Sequence, residues 1–172
     1  MLACKTPTSL KKGDLLYSFE GVSYDDGSSS VEAHEWIVRS IQTRPTWICL
    51  RGVSLLNYSR KAVFVNLVRK KKNITWVDGK WASYIPKDYK NKFERGERLP
   101  EGIYTTQLQA IKFAIERKHE GIAYAKAELD AVNSRKDIDI WAEELACYEK
   151  EMKLLKGRFT RIKNLKLKAK SA

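Results

Sequence analysis

The sequence predicts an α+β protein, in which a small antiparallel β-sheet or barrel precedes a long antiparallel helical hairpin. Turn signals recur about every ten residues in the first hundred positions, which is typical of short antiparallel strands. After residue 105 apolar residues follow a heptad rhythm in two successive series, which is typical of a coiled coil. We therefore divide the chain into a β-rich basic domain (1–104), a helical hairpin (105–165) and a basic tail (166–172).

The first part of the β-region contains runs with strand composition. Residues 13–22 (GDLLYSFEGV) predict a first strand, and the turn sequence DDGSSS follows it. Residues 31–43 predict a second strand, which Pro45 interrupts, and residues 47–53 predict a third. Residues 62–68 (AVFVNLV) alternate as a further strand, so a curled antiparallel sheet is expected.

An Asp-Gly pair predicts a tight hairpin between residues 74–77 and 80–85. A two-residue loop places Trp76 opposite Trp81 in a non-hydrogen-bonded pair, where side chains approach closely. The two indoles could stack on nucleic-acid bases, or they could pack as a core or rim pair. After this hairpin, residues 86–96 (PKDYKNKFERG) predict a short basic helical turn.

The runs GDLLY, WIVRSI and WICLRGV together resemble the start of an SH3-like barrel. The resemblance covers about a third of the chain. It implies a barrel fold for the N-terminal region and nothing about a ligand.

Two helical arms joined by a short connector are expected to run antiparallel. Thr106 and Gln109 fit a capping box at the start of the first arm. In the predicted register Val132 faces Ile138 and Lys118 faces Met152. The seam positions are Leu108, Ile111, Ile115, Lys118, Ile122, Ala125, Leu129 and Val132 in the first arm, and Ile138, Trp141, Leu145, Tyr148, Met152, Leu155, Phe159 and Ile162 in the second.

Three residues of the arms depart from this pattern. Gly157 is a position where the second arm could end or bend, because glycine costs about 1 kcal/mol inside a helix. Phe113 and Tyr124 lie off the seam, and we expect them to dock on the β-region or to meet a protein partner.

The charge distribution favours a polyanion partner. Lys and Arg number 33 and Asp and Glu 21, which gives a net charge of +12. Basic clusters with aromatic residues between them are typical of nucleic-acid binding, although a solvated basic tail that only aids solubility is the alternative. The candidate phosphate-binding and stacking residues are Arg69, Lys70, Lys71, Lys72, Trp76, Trp81, Lys87, Lys90, Lys92, Arg95, Arg158, Arg161, Lys163 and Lys166.

Catalytic and cofactor motifs are missing from the sequence. It contains no GxxxxGK[ST], GxGxxG, HExxH or GxSxG, so we expect a non-enzymatic protein without a cofactor or metal. His34 lies near Glu32 and Glu35, but in a strand only Glu32 shares its face. Three widely spaced cysteines (Cys4, Cys49 and Cys147) predict a reducing cytoplasm, and no apolar run approaches the roughly 20 residues of a membrane span.

Two functions fit this composition. One is a nucleic-acid-associated protein that binds DNA or RNA in a salt-dependent, weakly sequence-specific way. The other is an inhibitor or adaptor that binds an acidic host protein, with Phe113 and Tyr124 as contacts. The run GIYTTQLQAIKFAIERKHE (102–120) is similar to small accessory proteins of tailed bacteriophages, which implies a phage origin and the modulation of host machinery or genome handling. A seam satisfied within one chain favours a monomer.

Overall fold

The computed structural model describes residues 10–50 and 53–171, and it confirms the α+β class. A curled antiparallel half-barrel is followed by two long helices. The strands are β1 (Leu15–Ser23), β2 (Ser29–Leu50), β3 (Val53–Arg69), β4 (Trp76–Val77), β5 (Lys80–Trp81) and β6 (Lys90–Glu94), and the helices are α1 (Gln107–Ala131) and α2 (Arg135–Ser171).

The main sheet has the strand order β1-β2-β3-β6. The predicted interruption at Pro45 is wrong, because β2 continues through it and includes the start of the expected third strand. Pro45 pairs with Lys61, whereas Thr46 pairs with Asn57, so three residues of β3 between these pairs have no pairing partner in β2 and form a bulge. A bulge is a place where a sheet accepts proline, which has no N–H to donate. Arg51 and Gly52, also within that expected strand, lie outside the described residues.

The helical turn predicted for residues 86–96 is limited to a 3₁₀ turn at Lys87–Tyr89, and β6 follows it. β6 pairs antiparallel with β3, where Val65 lies opposite Phe93. Phe93 is buried, so a long-range contact decides the conformation of this locally ambiguous segment.

The β4–β5 hairpin forms as predicted. Trp76 pairs with Trp81, and Val77 pairs with Lys80. Asp78 and Gly79 both have positive φ angles, of 49° and 74°, as a type I′ turn requires.

The chain forms two compact units. Among the described residues, the first comprises 10–16, 34–50 and 53–105, and the second comprises 17–33 and 106–171. The core of the first unit consists of Leu10, Leu16, Trp36, Val38, Val65, Leu67, Phe93, Leu99 and Ile103. The hydrophobic residues buried in the second unit include Phe19, Ala110, Ile111, Ala114, Ala125, Met152, Leu155 and Ile162.

The helical hairpin begins with the predicted cap, since the Thr106 hydroxyl accepts a hydrogen bond from the Gln109 N–H at 3.3 Å. The helices are antiparallel, because Lys118 contacts Glu151 and, further along α1, Tyr124 contacts Trp141. At the predicted seam positions only Ile138 is exposed. α2 continues through Gly157 and through residues 166–171, where the sequence predicted a separate tail.

Candidate nucleic-acid interface

The two faces of the half-barrel differ in polarity because side chains alternate along each strand. Val65 points into the core with its β6 partner Phe93. The neighbouring row consists of Ser40, Asn66 and Lys92, which pair across β2, β3 and β6 and lie on the opposite face. The Asn66 amide donates a hydrogen bond to the Ser40 hydroxyl at 3.1 Å, so a polar surface covers the outside of the sheet.

This polar face contains an open groove of about 500 Å³, which we call the basic groove. Five cationic residues and four neutral polar ones contribute to its lining. They are Arg39, Arg44, Lys87, Lys90 and Lys92, together with Ser40, Gln42, Asn66 and Asn91. Strand β6 and the 3₁₀ turn before it therefore bring the predicted Lys87–Lys92 cluster to β2.

A bulge in β2 brings Arg39 and Arg44 to the same face of the sheet. The β2–β3 register shifts between Val38 and Ser40, so Arg39 is the extra residue of the bulge. Because Val38 points into the core, simple alternation places Arg39 on the opposite face, which is the face of the basic groove. The bulge places Ser40 on this face as well, opposite Asn66, and Gln42 and Arg44 follow it by alternation.

The electrostatics of the basic groove favour an anionic ligand. Within residues 10–50 and 53–171, no carboxylate lines the groove and none of its five cations forms an ion pair with a carboxylate. Like charges gathered in one depression sum to a positive potential that attracts anions.

Aromatic rings lie beside three of the groove cations. The Lys92 Nζ is 4.9 Å from the ring centre of Phe64, and the Lys90 Nζ is 5.8 Å from that of Tyr84. The Arg39 guanidinium carbon is 5.8 Å from the ring centre of Trp81. Cation–π contacts of this kind orient the cations without neutralising them.

A second basic feature of the first unit is the turn formed by residues 69–75, which we call the basic turn. Its geometry depends on Thr75, whose fully buried hydroxyl donates to the Arg69 carbonyl and accepts from the Lys71 N–H, both at 2.7 Å. The side chains of Lys70, Lys71 and Lys72 are exposed as a result. Lys70 and Lys72 line a smaller depression of about 410 Å³.

The aromatic partners of the basic turn are largely engaged with neighbouring side chains. Trp76 and Trp81 pack edge to face with their ring centres 5.1 Å apart, and both are half-buried. The Lys70 Nζ is 4.8 Å from the Trp76 ring centre, and the Arg69 guanidinium lies 4.3 Å over Tyr89.

The second unit has its own basic depression, of about 460 Å³, which we call the helix groove. Arg158 and Arg161 line it together with Lys153, and the hydroxyl-bearing Ser29 and Ser30 lie opposite at the start of β2. The lining also includes Val31, Leu154 and Gly157, and an added Cβ at Gly157 would meet nothing within 4 Å. Lys163 and Lys166 are exposed on α2 but do not line this groove.

One predicted interface residue has an internal role. Arg95 is half-buried and donates a hydrogen bond to the Leu10 carbonyl at 2.6 Å, so its guanidinium holds two segments of the first unit together.

Sequence reasoning missed two cations of the basic groove, Arg39 and Arg44. Alternation from the apolar Val38 could have indicated Arg39, whereas nothing local indicates the bulge that places Ser40, Gln42 and Arg44 on the same face.

The aromatic residues predicted to lie off the seam belong to the second unit. Tyr124 packs edge to face on Trp141 with ring centres 5.6 Å apart, which is a contact within the hairpin. A hydrogen bond to Glu128 raises the pKa of Tyr124 above its usual value. Phe113 is half-buried in α1.

Neither metal-binding nor disulfide features appear in the described part of the chain. Its His, Cys, Asp and Glu side chains form no group of three or more that could hold a metal ion. Cys147 is a half-buried free thiol, while Cys4 and the side chain of Cys49 lie outside the described residues. Among residues 10–50 and 53–171 neither helix combines the length and apolarity needed to cross a bilayer.

Comparisons with protein-family models, curated proteins and solved structures each gave no match.

Proposed function

We propose that this is a non-enzymatic protein that binds DNA or RNA through the phosphate backbone. The observation that carries the proposal is the basic groove, where five cations from separate segments converge with no carboxylate among the lining residues that the structure describes. Phosphate neutralisation by Lys and Arg releases counterions, so the affinity is expected to fall steeply with salt.

The neutral side chains of the groove support the same function. Ser40, Gln42 and Asn66, whose side chains share the face of the groove, offer hydrogen bonds of the kind that proteins direct to phosphate and sugar oxygens. Such contacts position a nucleic acid without reading its bases, which is why we propose weak sequence selectivity. The basic turn and the helix groove supply further cations for phosphate contacts.

A salt series on matched charge-reversal variants tests the proposal. Fluorescence anisotropy with a labelled oligonucleotide would compare the wild type with Lys90→Glu/Lys92→Glu, which reverses two groove cations. The control is Lys11→Glu/Lys12→Glu, which makes the same charge change in the same unit at exposed positions outside the groove. A third variant, Arg158→Glu/Arg161→Glu, measures the contribution of the helix groove.

The groove variant is expected to bind more weakly and to flatten the plot of log affinity against log salt by about one unit for each phosphate that it no longer neutralises. The control is expected to keep most of the affinity and most of the slope. Equal effects in the two variants would show that binding depends on net charge and not on the groove, which would contradict the proposed site. An absence of binding by the wild type would contradict the proposed function.

A second candidate function is supported by an apolar surface in the first unit. The two-stranded ribbon formed by residues 46–50 and 53–57, with the bulge after it, exposes large side chains: Trp47, Val53, Leu55, Leu56 and Tyr58. Exposed apolar clusters mark protein-binding surfaces. The alternative partner is therefore a protein, and the net positive charge together with the likeness to phage accessory proteins favours an acidic host protein. A pull-down from nuclease-treated host lysate that still recovers one protein, and loses it with Trp47→Ala, would favour this candidate.

A further inference from the structure

The segment after the β4–β5 hairpin presents a tyrosine ring to solvent beside the basic groove. Tyr84 is 74% exposed, and its ring centre is 5.8 Å from the Nζ of Lys90, which lines the groove. An aromatic ring with this exposure has most of its surface available to a ligand.

The backbone on both sides of Tyr84 is held in place. On one side the Ala82 N–H donates to the Thr75 carbonyl at 3.0 Å. On the other side Ile85 is buried at 2% exposure, and Pro86 precedes the 3₁₀ turn that carries Lys87. The backbone that carries the ring is therefore held at the edge of the groove, which lowers the backbone entropy lost when a ligand packs on the ring.

We propose that the ligand of the basic groove is a single-stranded nucleic acid, with one unpaired base stacked on Tyr84 and its neighbouring phosphates bound by Lys90 and the other groove cations. This inference rests on the proposed function and adds the strandedness of the ligand and the residue that selects it. A cationic groove with an aromatic ring beside it is the arrangement by which proteins bind single strands with little sequence preference.

The position of Tyr84 favours a single strand over a duplex. In a duplex the base faces are already stacked on one another and only base edges are offered in the grooves. Tyr84 projects from an irregular segment, so it is not part of a helix or two-stranded ribbon that could enter a major groove. The tryptophans contribute less free ring surface, since Trp76 and Trp81 pack on each other and are half-buried.

The test uses labelled oligonucleotides of one sequence as single-stranded DNA, single-stranded RNA and duplex DNA. Anisotropy titrations at fixed salt would compare the wild type with Tyr84→Ala, Tyr84→Phe and Tyr84→Trp. The control is Tyr58→Ala, which removes a tyrosine of similar exposure (71%) that does not line the groove. Circular dichroism would confirm that each variant is folded.

We expect the wild type to bind at least one single strand about tenfold or more tighter than the duplex. Tyr84→Ala is expected to lose about five- to a hundredfold in single-strand affinity with an unchanged salt slope, because stacking releases no counterions. Phenylalanine and tryptophan retain an aromatic face and should retain binding. The stronger of the two single-stranded arms identifies whether DNA or RNA is preferred.

Equal or tighter binding of the duplex would overturn the inference and leave the proposed function standing. A Tyr84→Ala loss no greater than that of Tyr58→Ala, or a Tyr84→Phe variant as weak as Tyr84→Ala, would also overturn it. If no oligonucleotide binds the wild type at low salt, the proposed function itself fails.

Discussion

The carboxylate of Glu151 in α2 forms an ion pair with the ammonium of Lys118 in α1, inside the second unit. The two side chains are 5% and 20% exposed, so the pair is largely removed from water. The second carboxylate oxygen accepts a hydrogen bond from the Ser23 hydroxyl at 2.7 Å, and the Lys118 Nζ lies 4.6 Å over the Tyr148 ring. Lys118 is the charged residue of the predicted seam, where Met152 was its expected partner. Its charge is compensated by Glu151, the residue that precedes Met152 in α2.

Removing the lysine alone should be costly. Lys118→Met leaves the Glu151 carboxylate buried with only the Ser23 hydrogen bond, and an uncompensated buried charge destabilises a protein by about 3–5 kcal/mol. We place the loss at the lower end of this range because Lys118 retains some solvent contact. Urea denaturation followed by circular dichroism measures the change in the free energy of unfolding.

The double variant Lys118→Met/Glu151→Leu is the control for this prediction. It removes both charges and keeps apolar volume, so most of the lost stability should return. A double variant less stable than Lys118→Met would show that the ion pair is not the source of the effect.

Glycines at two positions of the second unit should respond oppositely to a methyl group. At Gly21 in β1, an added Cβ would lie 2.9 Å from the Glu151 Cβ, close to the α2 backbone, so Gly21→Ala should destabilise by about 1–3 kcal/mol. At Gly157 nothing lies within 4 Å, so Gly157→Ala should stabilise α2 by about 1 kcal/mol. Thermal unfolding of the two variants beside the wild type measures both shifts, and a stabilising Gly21→Ala would contradict the packing described for β1.

The helical hairpin could be predicted from the sequence because its determinants are local. The heptad spacing placed Met152 and Leu155 on the buried seam, and Thr106 capped the first helix. The Asp78-Gly79 turn could be predicted for the same reason, since positive φ angles at two successive residues strongly restrict the residue types.

The composition of the basic groove could be predicted only in part, because it depends on contacts between distant segments. Lys90 and Lys92 formed a visible cluster, but their neighbours on β2 follow from strand pairing and from the bulge at Arg39. The assignment of residues 17–33 to the same unit as the helices is also a long-range outcome, since Ser23 meets Glu151 across 128 positions of sequence. No periodicity of apolar residues in either segment predicts that contact.

Tyr148 makes the second unit sensitive to alkaline pH. Its hydroxyl donates a hydrogen bond to Glu144, and this bond together with burial raises the pKa of Tyr148 from 10.0 to about 12. Between these values the unfolded chain has lost the tyrosine proton and the folded chain keeps it, so stability falls as the pH rises. The contribution is complete below pH 10 and is lost towards pH 12.

The comparison of Tyr148→Phe with the wild type isolates this effect. The melting temperature of the wild type should fall more steeply than that of the variant between pH 9.5 and about 11.5. Tyr58→Phe, at an exposed tyrosine of the first unit, should follow the wild-type profile. Parallel profiles for wild type and Tyr148→Phe would contradict the assigned hydrogen bond.

Thr75 is the residue on which the conformation of the basic turn depends. Thr75→Val keeps the shape of the side chain but leaves the Arg69 carbonyl and the Lys71 N–H without the hydroxyl that now bonds both. An unsatisfied buried polar group costs about 1–3 kcal/mol, so we expect a loss in that range or somewhat above it, whereas Thr75→Ser should retain most of the stability. Because the same hydroxyl sets the backbone that presents Lys70 to Lys72, Thr75→Val should also weaken oligonucleotide binding without any change in net charge. Urea denaturation and anisotropy on the two variants measure both effects, and equal behaviour of the valine and serine variants would show that the buried hydroxyl does not organise the turn.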